Sequence, residues 1–282
     1  MRVLLTGSEG FIGRNLSTKL LINKFEVSSM DTKLSPDHDI KRFENFRKFR
    51  SDQIDIVIHL AADAGVEKSL INPSSTFNNN VLGTVNCLEF AKQNKVKQFI
   101  FASTCAIYSK KLSPYGASKI AGESYCHAYS DSFGLKVDIL RIGNVYGPWS
   151  ENKTSVVASF VKQSLNGSPL KINGTGSQLR HFIYVDDLTE AVIEMIMEDS
   201  LLPLTIHNIM NSYLTSIKAI AEEVCDISKA TLGHDTGLSH VPMRPESSMS
   251  SVVGAKYGKT SIKEGIKQTF KWYLQNYDSN NK

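Results

Sequence analysis

The sequence predicts an α/β fold: a doubly wound parallel sheet followed by a smaller C-terminal α/β lobe. Three observations predict it. Short apolar, β-branched runs alternate with longer amphipathic segments through the first half of the chain. A turn with three glycines joins the first strand pattern to the first helical pattern. The alternation then loosens after about residue 150, where the second lobe is expected. Continuous apolar strands separated by amphipathic helices imply a parallel sheet covered on both faces, and right-handed crossovers make it a Rossmann-type domain.

Taken in order, the strand patterns are RVLL (2–5), EVSSM (26–30), IDIVIHL (54–60), KQFIFA (97–102) and KVDILRI (136–142). Helical patterns lie near 11–22, 76–94 and 115–133. Beyond residue 150, TSVVASFVKQSLNG (154–167) reads as a helix ending at Gly167. PLKINGTGSQLRHFIYV reads as strand, glycine turn and strand, and DDLTEAVIEMIMED (186–199) as a helix capped by Asp186 or Asp187. Residues 228–260, rich in Ser, Gly, His and Pro, read mostly as loop, and SIKEGIKQTFKWYLQN as a final amphipathic helix. The expected division is 1–150, joined by about 181–210, for the nucleotide-binding domain. Residues 151–180 and 211–282 are expected to form a discontinuous substrate lobe.

Composition narrows the function. The 282 residues are 41% hydrophobic and 21% charged, with a net charge of +4. No Lys/Arg run exceeds two residues, so nucleic acid is not an expected partner. No apolar stretch approaches the roughly 20 residues of a membrane span. Cys87, Cys105, Cys126 and Cys225 lack CxxC or metal-ligand spacing, so reduced thiols and no metal are expected. The opening MRVLLTG is too short an apolar run for a signal sequence, and a cytoplasmic protein is expected.

The glycine turn carries the first chemical signal. VLLTGSEGFIG places Gly7, Gly10 and Gly13 between strand and helix, in GxxGxxG spacing. Glycine there permits a tight turn, close backbone approach to a pyrophosphate and close strand–helix packing. The helix N-terminus adds free N–H groups and partial positive charge. Asp31 follows the second strand, where a carboxylate can bind adenosine ribose hydroxyls and repel a 2′-phosphate. That favours NAD over NADP, and Lys33 nearby weakens the preference a little. A second signal is SPYGASKIAGE, the one YxxxK in the chain. Tyr115 and Lys119 lie one helical turn apart and project from one face.

Several stretches, in order, resemble the extended short-chain dehydrogenase/reductase family and its NAD-dependent nucleotide-sugar epimerases and dehydratases. They are TGSEGFIG, HLAADAGV, NNNVLGTVNCLEFAK, FASTCAIY, SPYGASKIAGE, LRIGNVYGP and RHFIYVDDLTEAV. RPESSM and SIKEGIKQTFKWY resemble the family's C-terminal end, so the likeness covers nearly the whole chain. The branch it looks most like is the UDP-glucose and UDP-N-acetylglucosamine 4-epimerases. The resemblance implies that Tyr115 is the catalytic base, that Lys119 lowers its pKa and holds the nicotinamide ribose, and that Thr104 hydrogen-bonds the reacting sugar oxygen. It implies an NAD site at Gly7, Gly10, Phe11, Ile12, Gly13, Asp31, Asp39, Ile40, Leu60, Ala61, Ala62, Asn80, Ala102 and Ser103, together with Tyr115 and Lys119. For the substrate, a nucleotide-diphosphate sugar with UDP foremost, it implies Asn144, Arg180 and Arg244. It also implies a homodimer through the helices at 76–94 and 115–133.

The family opens by oxidising a sugar hydroxyl, usually at C4, and then diverges. In dehydratases an acid–base pair resembling Asp-Glu or Ser-Glu follows the catalytic threonine, whereas here Cys105 and Ala106 follow Thr104. Ala106 cannot transfer a proton. The expected reaction is therefore 4-epimerisation, with 4-ketoreduction as the alternative, dehydration behind it, and a non-catalytic dinucleotide-binding protein last. Two shortenings relative to the family fall on the substrate side: only SKKLSP separates Tyr108 from Tyr115, and the segment before the last helix is abbreviated. His181 stands where relatives carry Asp.

Overall fold

A computed structural model describes residues 1–50, 53–198, 200–235 and 257–277. The strands are β1 Arg2–Thr6, β2 Glu26–Met30, β3 Ile56–His59, β4 Gln98–Thr104, β5 Val137–Ile142 and β6 Asn144–Tyr146. Six further strands follow: β7 Leu170–Asn173, β8 Leu179–Arg180, β9 Phe182–Tyr184, β10 Leu204–Ile209, β11 Thr215–Ser216 and β12 Leu232–Asp235. The α-helices are α1 Phe11–Ile22, α2 Val66–Ile71, α3 Pro73–Phe77, α4 Gly83–Gln93, α5 Pro114–Phe133, α6 Val156–Leu165, α7 Val185–Met197, α8 Ile217–Ser228 and α9 Ile262–Asn276.

The chain divides into two compact units, 1–142 with 189–208 and 143–188 with 209–282. In the first, a six-stranded parallel sheet has the order β10-β5-β4-β3-β1-β2. The strand order reverses beside β1, because β2 lies on one side of it and β3 on the other. In such sheets ligands bind beyond the C-terminal ends of the strands at this switch point. Apolar residues with no exposure fill both faces: Leu4, Val57, Phe99 and Phe101 on one, backed by Phe46 and Phe90, and Val3, Leu5, Ile58 and Ile100 on the other. This is the burial that near-continuous apolar strands require.

The expected helix near 76–94 is built from pieces. Asn72 caps α3 by accepting the Ser75 N–H at 2.9 Å, with Pro73 in the first position. A π-helical turn at Asn78–Leu82 then joins α3 to α4. α5 obeys its sequence signals throughout: Ser113 caps Gly116 N–H, Pro114 opens it, and Gly134 ends it at φ +69°.

The second unit holds three two-stranded pairings, β6 with β9, β7 with β12 and β8 with β11. The two strands flanking the 174–178 turn pair with other partners and not with each other. Residues 143–150 and 181–188, expected in the first domain, pack in this unit, where β6 pairs with β9. Its core contains Tyr146, Phe160, Phe182, Ile220, Ile266 and Tyr273. α7 begins at Val185, so Asp187 lies inside its first turn. It accepts the N–H groups of Lys259 and Thr260 at 2.9 and 2.8 Å. Among the elements that the sequence patterns did not mark are β10 at the sheet edge, α8, capped by Ser216, and β12, inside the stretch expected as loop.

Candidate active site

The glycine turn sits at the end of β1 against the segment that leaves β3. Gly7 has φ +72°, and a Cβ there would lie 2.7 Å from Ala61 N. A Cβ on Gly13 would collide with Gly7 O and with the Ser8 backbone. Both positions need glycine, the first for conformation and approach, the second for approach alone. α1 starts at Phe11 with Gly10 as its N-cap, no side-chain cap and no acidic residue in its first turn. The amides of Phe11, Ile12 and Gly13 are thus left to an anion. This arrangement fits a dinucleotide pyrophosphate.

At the end of β2, Asp31 accepts the Glu9 N–H at 3.0 Å and the Lys33 N–H at 2.9 Å. Its carboxylate is thereby fixed beside the glycine turn, with lone pairs remaining for hydroxyl donors. Glu9 pairs with Arg14 at 3.1 Å, which adds a second carboxylate on the turn. Asp39 accepts the Lys41 N–H, and Ile40 is buried, with its carbonyl taken by Asn86.

Beyond β3 runs Leu60–Ala62, and a chain of hydrogen bonds ties it to the helices. Thr6 Oγ1 accepts the Ala61 N–H at 3.2 Å and lies 2.7 Å from His59 Nδ1. His59 Nε2 lies 3.0 Å from Thr84 Oγ1, which donates to Asn80 O at 2.6 Å. Since Thr84 spends its proton on Asn80, His59 donates from Nε2 and accepts at Nδ1. Burial, then the charge of Lys119, pulls its pKa down to about 3, so the ring is neutral and structural. The Asn80 side chain accepts Asp63 N–H at 2.7 Å and donates to Ser118 Oγ at 3.0 Å. Ser118 donates to Tyr115 O at 2.8 Å, so Asn80 braces the first turn of α5.

Lys119 is 2% exposed. Its ammonium donates to Ala102 O at 2.7 Å and sits 4.8 Å above the Phe101 ring. Burial lowers its pKa to about 8, against the smaller opposing pull of Cys126 and Glu123. Tyr115, half-buried, stands one turn earlier on the same helix. Thr104 ends β4, and its Oγ1 accepts the Ala106 N–H at 3.2 Å, which leaves its own proton to donate. The Ser103 hydroxyl is committed to Glu123. Tyr108 accepts from Arg141 and donates to Asn208, both at 2.9 Å, which makes it a polar tie and not only a packing residue. Glu123 and Arg141 went unmarked in the sequence. The one available signal was Glu123, a third polar residue four after Lys119 and eight after Tyr115.

The substrate candidates belong to the second unit. Asn144 donates from its side chain to His181 O at 3.0 Å, and Arg180 donates to Leu179 O at 2.8 Å. His181 is 4% exposed and bonds Asn211 O through Nδ1 at 2.9 Å. Arg244 lies outside the described residues. Among those residues no three His, Cys, Asp or Glu side chains cluster as metal ligands. No described helix is long and apolar enough to cross a membrane.

The NAD dependent epimerase/dehydratase family profile matches residues 3–209. A putative UDP-glucose 4-epimerase of Methanocaldococcus jannaschii is 30% identical over 97% of this chain and 99% of its own. The Thermus thermophilus UDP-glucose 4-epimerase, solved in complex with NAD, aligns with a TM-score of 0.86 at 29% identity, covering 98% of this chain and 100% of that one. The Thermotoga maritima UDP-glucose 4-epimerase, solved with UDP-glucose, also gives 0.86, at 26% identity over 99% and 100%. The glycine cradle, the switch-point sheet and this match agree: the chain is an enzyme of the NAD-dependent epimerase/dehydratase family, with NAD the cofactor that membership assigns.

Proposed function

We propose that this enzyme is a nucleotide-sugar 4-epimerase acting on a UDP-sugar. One observation carries the reading. A buried Lys119 is pinned to β4 beside Thr104, one turn from Tyr115, while Cys105 and Ala106 place no carboxylate after Thr104. Such a site holds one base and one hydroxyl donor, which is enough to open and close a carbonyl at C4. It lacks the acid–base pair that eliminating water requires.

When bound, NAD supplies the hydride acceptor, and then the donor, for the sugar C4. Tyr115 takes the proton from O4 in the first half-reaction and returns it in the second. Lys119 makes that possible by stabilising the tyrosinate, since a free tyrosine titrates near 10. Thr104 donates its hydroxyl proton to O4 and fixes it for transfer. Gly7, Gly10, Gly13 and the first amides of α1 would hold the pyrophosphate, and Asp31 the adenosine ribose. Leu60–Ala62, Asn80 and Ala102 would line the cofactor further along, with Asp39 and Ile40 near its adenine end. Asn144, Arg180 and Arg244 would hold the substrate diphosphate, guanidinium groups matching its oxygens. A homodimer is supported by exposed apolar residues on α3–α5 and the π turn, among them Phe77, Leu82, Ile120 and Phe133.

The test is incubation of the purified protein with UDP-glucose or UDP-N-acetylglucosamine and catalytic NAD. Interconversion of C4 epimers without net NADH supports the proposal. Consumption of NADH with a 4-keto sugar and no interconversion would make the enzyme a reductase.

A further inference from the structure

The mechanism above leaves one buried charged group unused. Glu123 is 6% exposed on α5, four residues after Lys119 and eight after Tyr115, so all three share a face. Its partners belong to two neighbouring strands. Ser103 of β4 and Arg141 of β5 are register partners, so their side chains rise together from the sheet beneath α5. Ser103 Oγ donates to Glu123 Oε1 at 2.5 Å. Arg141 grips the same carboxylate from Nε at 3.1 Å and from its terminal nitrogen at 2.7 Å. The other guanidinium nitrogen holds Tyr108, at the end of the turn that Thr104 caps. One carboxylate therefore joins the helix carrying Tyr115 and Lys119 to the strand carrying Thr104. Only glycine at position 122 lets α5 come so close, because a Cβ there would lie 2.5 Å from the Phe101 ring.

We infer that Glu123, held by Ser103 and Arg141, is a positioning residue that sets α5 on β4–β5 and keeps Lys119 cationic for Tyr115. The inference rests on the catalytic reading of Tyr115 and Lys119 given above. A bidentate Arg–carboxylate pair has the geometric stringency for the first task. For the second, the groups facing Lys119 are few. Glu123 and Cys126 come from its own helix, with Tyr115 one turn before it. Neutral His59 comes from β3, and the Ala102 carbonyl and Phe101 ring from β4. Arg141 stands behind the carboxylate, and burial pushes the Cys126 thiol up, so it stays protonated. Glu123 is thus the one anion of this set.

The experiment uses NAD-loaded full-length protein with UDP-glucose, comparing wild type with Glu123→Gln and Tyr115→Phe. Glutamine keeps the acceptor for Ser103 and removes the charge. Glu123→Gln should retain NAD and KM but lose about 10- to 100-fold in kcat, the scale of a small misplacement of reacting groups. The alkaline limb of its kcat profile should move to lower pH, because Lys119 without its anion loses its proton earlier. Lysine ε-carbon NMR, with Lys119 assigned by Lys119→Met, should show the same downward shift without any turnover. If Glu123→Gln leaves Arg141 buried and unpaired and the protein fails to fold, Glu123→Gln/Arg141→Met removes both charges. That variant should fold and show both shifts in the same direction, smaller because the nearby Arg141 cation is lost as well. An unchanged kcat and an unchanged Lys119 titration, with Tyr115→Phe inactive, would overturn the inference alone. Normal turnover by Tyr115→Phe would overturn the catalytic reading beneath it.

Discussion

Replacing Asn80 by alanine isolates the brace between the β3 segment and the first turn of α5. The side chain is 1% exposed and makes three hydrogen bonds, to Asp63 N–H at 2.7 Å, Asp63 O at 3.2 Å and Ser118 Oγ at 3.0 Å. Each is worth about 0.5–1.5 kcal/mol net, and the two Asp63 partners, half-buried, can recover part of it from water. Ser118, 5% exposed, cannot. A total loss of about 2–4 kcal/mol follows. For a chain of this size that corresponds to a fall of roughly 3–7 °C in Tm. Because Ser118 in turn holds Tyr115 O, turnover should fall further than stability accounts for, with KM less affected. Asn80→Asp should do no better, since a carboxylate can accept from Asp63 N–H but cannot donate to Ser118. Thermal unfolding of NAD-loaded protein, with kcat measured at a temperature where both forms are folded, checks both parts. A Tm within 2 °C of wild type, with kcat unchanged, would refute the brace.

Other expectations follow from the same geometry. Tyr115→Phe should keep fold and bound NAD yet lose turnover by orders of magnitude, read in a single-turnover assay. Gly13→Ala puts a methyl group into the Gly7 and Ser8 backbone, which no rotamer relieves, so it should lower NAD retention on purification. Asp31→Ser should narrow the preference for NAD over NADP in equilibrium binding, with Glu9 keeping part of it. For His59 the folded pKa of about 3 lies below the unfolded value of roughly 6.5. The unfolded chain therefore takes up the proton first, and this contribution is full above about pH 6.5 and fades toward pH 3. Its total is about 4–5 kcal/mol. His59→Gln should flatten the fall of Tm between pH 7 and 4.

The sheet was largely legible because β1, β3, β4 and β5 are buried on both faces and read as mainly apolar runs, whereas β2, EVSSM at the sheet edge, is half-buried. β10 was not legible, since His207 and Asn208 interrupt LTIHNI at the sheet edge, where one side needs no strand partner. α8 had its signals, a Ser216 cap and buried Ile220, Ala221 and Val224, within a stretch that had no pattern of neighbours to frame it. The π turn at Asn78–Leu82 has no sequence mark, yet it sits at Asn80. Such turns recur at functional sites. In the site, the glycine turn and the Tyr115–Lys119 spacing are local patterns, and the ordered motifs that resemble the family gave them their roles. Glu123, Ser103 and Arg141 meet only through the cross-strand register of β4 and β5, a non-local fact that the linear order does not carry.

The central claim is tested most directly with UDP-glucose deuterated at C4. The account predicts UDP-galactose that keeps its deuterium at C4, no label lost to solvent, no net NADH, and a rate slowed by the heavier isotope. A 4-keto-6-deoxy sugar formed by loss of water, or exchange of the label with solvent, would contradict it.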